Sequence, residues 1–265
     1  MYEFEYHHPG SVENAAKLLS TLPEAKLLAG GHTLLPTMKQ RLAAPKHIVD
    51  MRSIRELHGI HVKDGHLVIG AMTTHSHVAE SALVNSHLPS LAALAAGIGD
   101  PHVRRRGTIG GSVANNDPAA DYPSAVLALN ATIVTNQREI KADAFFTGMF
   151  ETALKEGEII THFVFPTGIK GAYAKFPNPA SRYAMVGVFV ARHGADVRVA
   201  VTGAGANGVF RANALEAALK GDFSPKALDG KGVSADDLNT DMHADAAYRA
   251  HLITVMAKRA VTAAQ

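Results

Sequence analysis

The chain has 265 residues, of which 47% are hydrophobic and 19% are charged, and its formal net charge is +2. This composition excludes a disordered chain and allows one large domain, or up to three smaller ones, with an ample core. The small net charge gives no electrostatic reason to expect nucleic acid or an anionic membrane as a partner.

The sequence contains no cysteine. Disulfides, thiol catalysis and thiolate-held iron–sulfur clusters are therefore excluded within this chain, and a reducing, cytoplasmic location is the prediction. No apolar run reaches the roughly 18 residues that a membrane span needs. Residues 1–10 carry acidic side chains and lack the pattern of a signal peptide.

Residues 1–55 predict a small α/β unit. Ser11 is a suitable N-cap for an amphipathic helix over 12–22, and Pro23 ends that helix. The elements that follow are a buried strand over 25–29, a glycine loop, a helix that turns Leu34, Leu35, Met38 and Leu42 inward, and a strand over 47–51.

Residues 56–170 predict a second unit that opens with a hairpin around Asp64-Gly65. The further elements are helices over 74–82, 88–98 and 124–130 and strands over 131–135, 139–142 and 158–165. Residues 99–123 read as a long loop without its own structure. A loop of that length with many polar groups favours a functional role.

Residues 171–265 predict a three-stranded antiparallel sheet covered by helices. The strands are expected over 172–176, 183–192 and 197–202, and the helices over 213–220 and 244–263. The fold class is therefore α+β, in three parts over 1–55, 56–170 and 171–265.

Two glycine-rich loops are the most informative features of the sequence. The first, residues 29–33, is Ala-Gly-Gly-His-Thr, and it lies between a predicted strand and a predicted helix. The second, residues 107–112, is Gly-Thr-Ile-Gly-Gly-Ser and runs on towards Asp117 and Asp121. Glycine leaves backbone N–H groups unshielded, as phosphate binding requires. The pair indicates one diphosphate held from two sides, and hence a dinucleotide cofactor.

The first loop has neither the Walker nor the Rossmann spacing. Thr108 and Ser112 add hydroxyl donors, and the carboxylate of Asp121 is suited to accept hydrogen bonds from sugar or ribityl hydroxyls. An ordinary strand-to-helix turn at the first loop, and a turn and helix cap at the two aspartates, are the structural alternatives. The preceding run over 104–106, three arginines, fits a phosphate, a partner subunit or a solvated face equally well.

The 15 histidines include two groups that suggest metal ligands, His7-His8 and His75-x-His77. No nearby carboxylate or third histidine in the sequence completes a tetrahedral set, so no metal site is expected. No nucleophile elbow, kinase signature or nucleophile–base pair is visible, and no catalytic side chain is predicted. A cofactor site without catalytic side chains indicates that the cofactor performs the chemistry.

The segments LLAGGHTLLPTMKQRLAAPKHIVDM and HVRRRGTIGGSVANNDPAADYPSAVLAL resemble the two FAD-binding signatures of the flavoprotein subunit of molybdenum hydroxylases. This is the medium subunit of carbon monoxide dehydrogenase-type enzymes and the counterpart of the FAD domain of xanthine dehydrogenase. The resemblance implies a two-subdomain FAD-binding fold of the PCMH or vanillyl-alcohol-oxidase type, followed by a C-terminal domain with three strands and helices.

The resemblance also implies which residues bind FAD. Asp121 matches the family's cofactor-binding aspartate, Ile160 aligns with an apolar residue that contacts the flavin, and Lys175 aligns with a lysine near it. Ile98 and Tyr183 are weaker matches near the ring. The residues that match the two pyrophosphate loops are Ala29, Gly30, Gly31, His32 and Thr33 in the first and Thr108, Ile109, Gly110, Gly111 and Ser112 in the second.

In such enzymes a large subunit hydroxylates the substrate at a molybdopterin-type molybdenum cofactor, and a small subunit carries two [2Fe–2S] clusters. The resemblance implies that this chain accepts electrons from those clusters and passes them through FAD to an external acceptor, within a dimer of heterotrimers. The alternatives are an independent flavin oxidase, which needs a base beside the flavin, and a scaffold that has lost FAD, against which the two intact loops argue.

Overall fold

The computed structural model describes residues 1–265, and the N-terminal part is a small parallel sheet with the strand order β1-β3-β2. Its elements are β1 (Glu5–His7), α1 (Val12–Thr21), β2 (Ala25–Leu28), α2 (Leu34–Lys39) and β3 (His47–Asp50). The Oγ of Ser11 accepts a hydrogen bond from the N–H of Asn14, so the predicted cap of α1 is confirmed. The three-residue strand β1 was not predicted, because it is too short to show an alternating pattern.

The second helix ends earlier than its apolar residues suggest. Arg41 has φ of +62°, a left-handed conformation that stops the helix. The side chain of Leu42 consequently points outward and is 75% exposed. The prediction that Leu42 faces the core was wrong.

The middle part contains a five-stranded antiparallel sheet with the order β4-β5-β10-β6-β7. Its strands are β4 (Ile60–Lys63), β5 (His66–Gly70), β6 (Thr132–Thr135), β7 (Glu139–Lys141) and β10 (Ile160–Pro166), and β8 (Phe146–Gly148) and β9 (Glu151–Thr152) form a separate hairpin. The predicted turn at Asp64-Gly65 is confirmed: their φ angles of +50° and +73° are those of a type I′ hairpin.

The middle part also contains six helices: α3 (His75–Glu80), α4 (Ala82–His87), α5 (Pro89–Ala96), α6 (Pro101–Arg106), α7 (Ile109–Asn115) and α8 (Tyr122–Ala128). The prediction of an unstructured loop over 99–123 was wrong, because α6 and α7 lie within it. Both helices have side-chain caps. Asp100 accepts from the N–H of His102 at 2.6 Å, and Thr108 accepts from that of Gly111 at 3.1 Å. The many glycines had concealed these helix starts.

The C-terminal part is an antiparallel sheet with the order β11-β12-β13-β14. Its elements are β11 (Lys170–Pro177), β12 (Ala184–His193), β13 (Asp196–Thr202), β14 (Phe210–Arg211), α9 (Asn213–Gly221) and α10 (Ala246–Ala263). The three predicted strands are present, and β14 adds a fourth. Three short 3₁₀ turns complete the chain, at Arg55–Leu57, Ala142–Ala144 and Pro225–Leu228.

The strand β12 holds the middle and C-terminal parts together, because its side chains alternate between two cores. Phe189 and Ala191 belong to the core that includes α8 and the five-stranded sheet, whereas Val188 and Val190 pack in the core under α9 and α10. This fixes the position of α8, whose N-cap is Asp121, against the C-terminal sheet. None of the helices combines the length and apolar character needed to cross a bilayer.

Candidate cofactor-binding site

The two glycine-rich loops line one large cleft of about 1110 Å³. A cleft of this size is sufficient for a large organic cofactor. The sequence-predicted residues that line it are Ala29, Gly30, Gly31, His32, Thr33, Thr108, Gly110, Gly111, Ser112, Asp121 and Ile160. Ile109 and Lys175 are absent from its walls.

The first loop offers a row of unpaired donors. The backbone N–H groups of residues 30–33 donate to no acceptor within the protein. Gly31 has φ of +77°, a conformation that favours glycine and turns the chain so that successive N–H groups are exposed. Such a row of N–H groups on a cleft wall is suited to the oxygen atoms of a phosphate.

The two loops touch each other through glycine. A Cβ atom on Gly30 would lie 2.2 Å from the carbonyl oxygen of Arg106 and 2.7 Å from the Cα of Gly107. A Cβ atom on Gly111 would lie 3.5 Å from the Cβ of Ala29. At Gly30, only a residue without a side chain allows the two backbones to approach this closely, whereas the distance at Gly111 is an ordinary van der Waals contact.

The second loop contributes differently from the first. Most of its backbone N–H groups already donate to protein acceptors, namely those of Gly107, Ile109, Gly110, Gly111 and Ser112. Its free donors are the N–H of Thr108 and the hydroxyls of Thr108 and Ser112. Gly110 serves packing, because a Cβ there would lie 2.6 Å from the carbonyl oxygen of Ala71. The side chain of Ile109 is fully buried in the core.

Asp121 is the buried acid of the cleft. It is only 7% exposed, it accepts a hydrogen bond from the hydroxyl of Tyr173, and its Oδ2 lies 3.0 Å from the Nζ of Lys175. Burial raises the pKa of Asp121 above its usual value, while the ammonium of Lys175 and the hydroxyl of Tyr173 oppose that rise. The carboxylate is thus held in place by two side chains of β11.

Lys175 acts on the cleft through Asp121. Its side chain is 11% exposed, and its Nζ also donates to the carbonyl oxygen of Gly97 at 2.9 Å. The sequence resemblance implied a lysine near the flavin. In the structure this ammonium lies behind the wall of the cleft, where two of its three N–H donors are committed to protein acceptors.

The polar residues around the second loop divide into those that line the cleft and those that support it. Asn115 and Asp117 line it. Asn116 has φ of +43°, and its side-chain amide donates to the carbonyl oxygens of Gly148 and Glu151 at 2.8 Å each. Of the three arginines, Arg104 binds the carbonyl oxygens of residues 98 and 99, and the other two are exposed.

Two wall segments were not predicted as parts of the site. Residues 156–159 precede β10, and residues 181–183 lie between β11 and β12. In the first, the guanidinium of Arg138 and further hydrogen bonds lower the pKa of Glu158 to about 2, although burial opposes this. Neither segment has a glycine motif, so the sequence carried no signal beyond the match at Tyr183.

One further cluster lies outside the cleft. No ligand set around His7 was predicted from the sequence, although Glu5 precedes it by two residues. In the fold, Glu5 and His47 lie beside it, and the three side chains bring their ligand-type atoms within 4.8 Å of one another. The expectation that His7 has no such neighbours was wrong, because His47 reaches it across the parallel sheet.

His75, on the cleft wall, leads to a prediction about how the free energy of unfolding depends on pH. It is 5% exposed, its Nδ1 has no hydrogen-bond partner, and burial lowers its pKa to about 4. Unfolding restores a pKa of about 6.5, so the unfolded state binds more protons between these values and stability falls as pH falls. We expect His75 to remove about 3 kcal/mol of unfolding free energy between pH 7 and pH 4.

Urea unfolding of the wild type and His75→Gln at a series of pH values tests this. Between pH 6.5 and pH 4, the free energy of unfolding of His75→Gln should fall less steeply than that of the wild type. The control His77→Gln, at an exposed position of the same helix, should have the same pH dependence as the wild type. Identical slopes in wild type and His75→Gln would show that His75 is not buried as the neutral imidazole.

Comparison with known proteins agrees with this geometry. Residues 2–168 match the family model described as the FAD binding domain in molybdopterin dehydrogenase. Residues 171–264 match the one described as the CO dehydrogenase flavoprotein C-terminal domain. Together the two models cover nearly the whole chain.

Known proteins that align with this chain over nearly their whole length are also similar in sequence. The chain is 37% identical to the carbon monoxide dehydrogenase medium chain of Hydrogenophaga pseudoflava, over 98% of this chain and 96% of the relative. It is 35% identical to the nicotine 6-hydroxylase medium subunit of Paenarthrobacter nicotinovorans, over 98% and 96%. The solved carbon monoxide dehydrogenase from Hydrogenophaga pseudoflava that lacks the Mo-pyranopterin moiety of its cofactor superposes with a TM-score of 0.91 at 39% identity, over 99% and 97%.

Fold, cleft and similarity together define an FAD-binding oxidoreductase subunit. The chain belongs to the family of FAD-binding medium subunits of molybdenum-containing hydroxylases, the group that includes the carbon monoxide dehydrogenase medium chains and xanthine dehydrogenase FAD-binding subunits.

Proposed function

We propose that this chain holds FAD in the cleft between the two glycine loops and carries electrons from [2Fe–2S] clusters of a small partner subunit to an external acceptor. A large molybdenum-containing subunit completes the complex, which we propose is a dimer of heterotrimers. The observation that carries the proposal is that the row of unpaired N–H groups at residues 30–33 lines the same cleft as Thr108 and Ser112 of the second loop.

Each group of residues has a separate task in this proposal. The N–H groups of the first loop and the hydroxyls of Thr108 and Ser112 bind the diphosphate of FAD. Asp121 accepts hydrogen bonds from hydroxyl groups of the cofactor, and Ile160 supplies apolar contact to the flavin ring. When bound, FAD supplies electron transfer that no side chain of this chain can perform. The protein contributes binding, orientation and the charge of its surroundings.

The relatives support a function that does not depend on the substrate. The names of the two medium chains compared above refer to different substrates, carbon monoxide and nicotine. A subunit that serves both reactions with similar sequence is suited to the step they share, the removal of electrons. We propose that substrate chemistry takes place in another subunit, and the cleft walls are consistent with this because no serine or other nucleophile there is hydrogen-bonded to a base.

The absence of cysteine assigns the clusters to another chain. A [2Fe–2S] cluster is held by cysteine thiolates, and this sequence has none. We further propose that residues 1–55, 56–170 and 171–265 are the structural units of the chain, because the three main sheets divide along these ranges, with only Lys170, the first residue of β11, before the last boundary. A cytoplasmic location remains a prediction that cell fractionation tests.

The first experiment is an absorption spectrum of the purified chain, followed by release of the cofactor with acid and its identification. We expect flavin bands and released FAD. The second is single-turnover reduction: the chain with a reduced [2Fe–2S] partner subunit should lose its flavin absorption, whereas the chain with substrate alone should not. Substrate turnover by the isolated chain would favour the flavin oxidase alternative, and a colourless protein that does not take up FAD would favour the scaffold.

A further inference from the structure

The register of the N-terminal sheet collects three metal-ligand residues on one face. Glu5 of β1 pairs directly with His47 of the parallel strand β3. His7 lies two residues after Glu5, so its side chain is on the same face of β1. The three positions are therefore brought together by backbone pairing, which fixes them more firmly than loop geometry would.

The distances between the ligand-type atoms fit a small metal ion. The Nε2 of His7 lies 3.1 Å from the Nδ1 of His47, and Oε2 of Glu5 lies 3.5 Å from the His47 nitrogen and 4.0 Å from the His7 nitrogen. A tetrahedral zinc ion with ligand distances of about 2.0–2.1 Å requires its ligands to be roughly 3.3–3.4 Å apart. The Glu5 side chain is 74% exposed and free to close the longest edge.

We propose that Glu5, His7 and His47 form a binding site for a divalent transition-metal ion of the zinc class. Two imidazole nitrogens and one carboxylate oxygen are a ligand set that zinc accepts, with a water molecule in the fourth position. The two imidazole side chains are 23% and 13% exposed, so the ion reaches the site from solvent on the Glu5 side.

The site changes the hydrogen bonding between the histidines. At 3.1 Å the two ring nitrogens share one proton, which one ring donates and the other accepts. The metal takes the position of that proton, which moves by exchange with solvent to the other nitrogen of the donor ring. Each ring then carries its single proton on the nitrogen that faces away from the ion, and no net oxidation or reduction is involved.

A bound metal ion would link the edge strand β1 to the central strand β3. The strand β1 has three residues and pairs only with β3, whose other neighbour, β2, leads directly into the first glycine loop. An ion held by both β1 and β3 stabilises the sheet that carries this loop. This role is independent of electron transfer and does not rest on FAD being bound.

Calorimetric titration of the full-length, tag-free, chelator-treated chain with zinc chloride tests the site. We expect one ion per chain and a rise in the unfolding temperature with zinc. Loss of one ligand in His47→Gln or Glu5→Gln should weaken binding about 100-fold or more, since even indirect partners of a metal account for 10–100-fold. The control is His251→Ala, at an exposed position of α10, which should bind zinc as the wild type does.

Two results would overturn the proposal. One is the absence of a one-to-one binding event in the wild type. The other is equal affinity in the wild type, His47→Gln and Glu5→Gln, which would place the zinc on other surface histidines. Because Glu5 is largely exposed, Glu5→Gln should keep the unfolding temperature of the metal-free protein, and this comparison separates loss of the site from loss of the fold.

Discussion

Replacing Lys175 by methionine should lower the free energy of unfolding by about 3 kcal/mol at pH 7 and by less at pH 5. The substitution removes the cation 3.0 Å from the carboxylate of Asp121 and leaves that carboxylate buried with only Tyr173 as its partner. Removal of one partner of a buried ion pair typically destabilises a protein by about 3–5 kcal/mol.

The pH dependence follows from the direction of the Asp121 pKa. Burial already raises this pKa, and without Lys175 it rises further. The folded state then binds more protons than the unfolded state above a pH of about 4, so the unfolding free energy of the variant falls as the pH rises. Below this range both states carry the protonated acid, and the penalty vanishes.

Urea unfolding at pH 5 and pH 7 measures this effect. Lys170→Met removes an exposed lysine from the same strand and should change little at either pH. The double variant Asp121→Asn, Lys175→Met should recover most of the stability, because it removes the unpaired charge. An equal loss at both pH values, or no recovery in the double variant, would contradict the argument that the uncompensated carboxylate is responsible.

The sequence predicted the site best where backbone geometry demands a particular residue. At positions 30 and 110 the neighbouring backbone is so close that no side chain fits, and glycine is required. These glycines can therefore be recognised in the sequence alone. The helix cap at Ser11 and the turn at Asp64 are likewise determined by residues that are close in sequence. These features depend on a few neighbouring residues, and sequence patterns describe such neighbourhoods well.

The remaining features depend on contacts between distant segments. Ile109 is buried in the core that α7 shares with α8 and β10. The ion pair of Lys175 with Asp121 joins β11 to the start of α8, and the wall segment at 181–183 connects β11 to β12. No local pattern distinguishes Lys175 pointing into a cleft from Lys175 pairing with an acid 54 residues away. The same holds for Glu5, His7 and His47, which meet only through strand pairing.

The second large effect is expected from Gly30→Ala, which tests the contact between the two loops. The new methyl group would have to lie 2.2 Å from the carbonyl oxygen of Arg106, so the loops must separate. Overpacking of this kind costs about 1–3 kcal/mol of stability. We expect FAD affinity to fall about 10–100-fold, because the diphosphate donors on the two sides no longer converge.

Two matched glycine substitutions make this prediction specific. Gly10→Ala places its methyl group in open space and should retain FAD and stability. Gly111→Ala places its methyl group 3.0 Å from the hydroxyl oxygen of Thr108 and at an ordinary contact distance of 3.5 Å from the Cβ of Ala29, and it should have an intermediate effect. The FAD content of the purified variants and the affinities from titration with FAD rank the three variants by their effect on binding. If Gly30→Ala kept wild-type affinity, the first loop would not need to touch the second. The cleft would then bind its cofactor from one side, and the argument from two facing loops would fail.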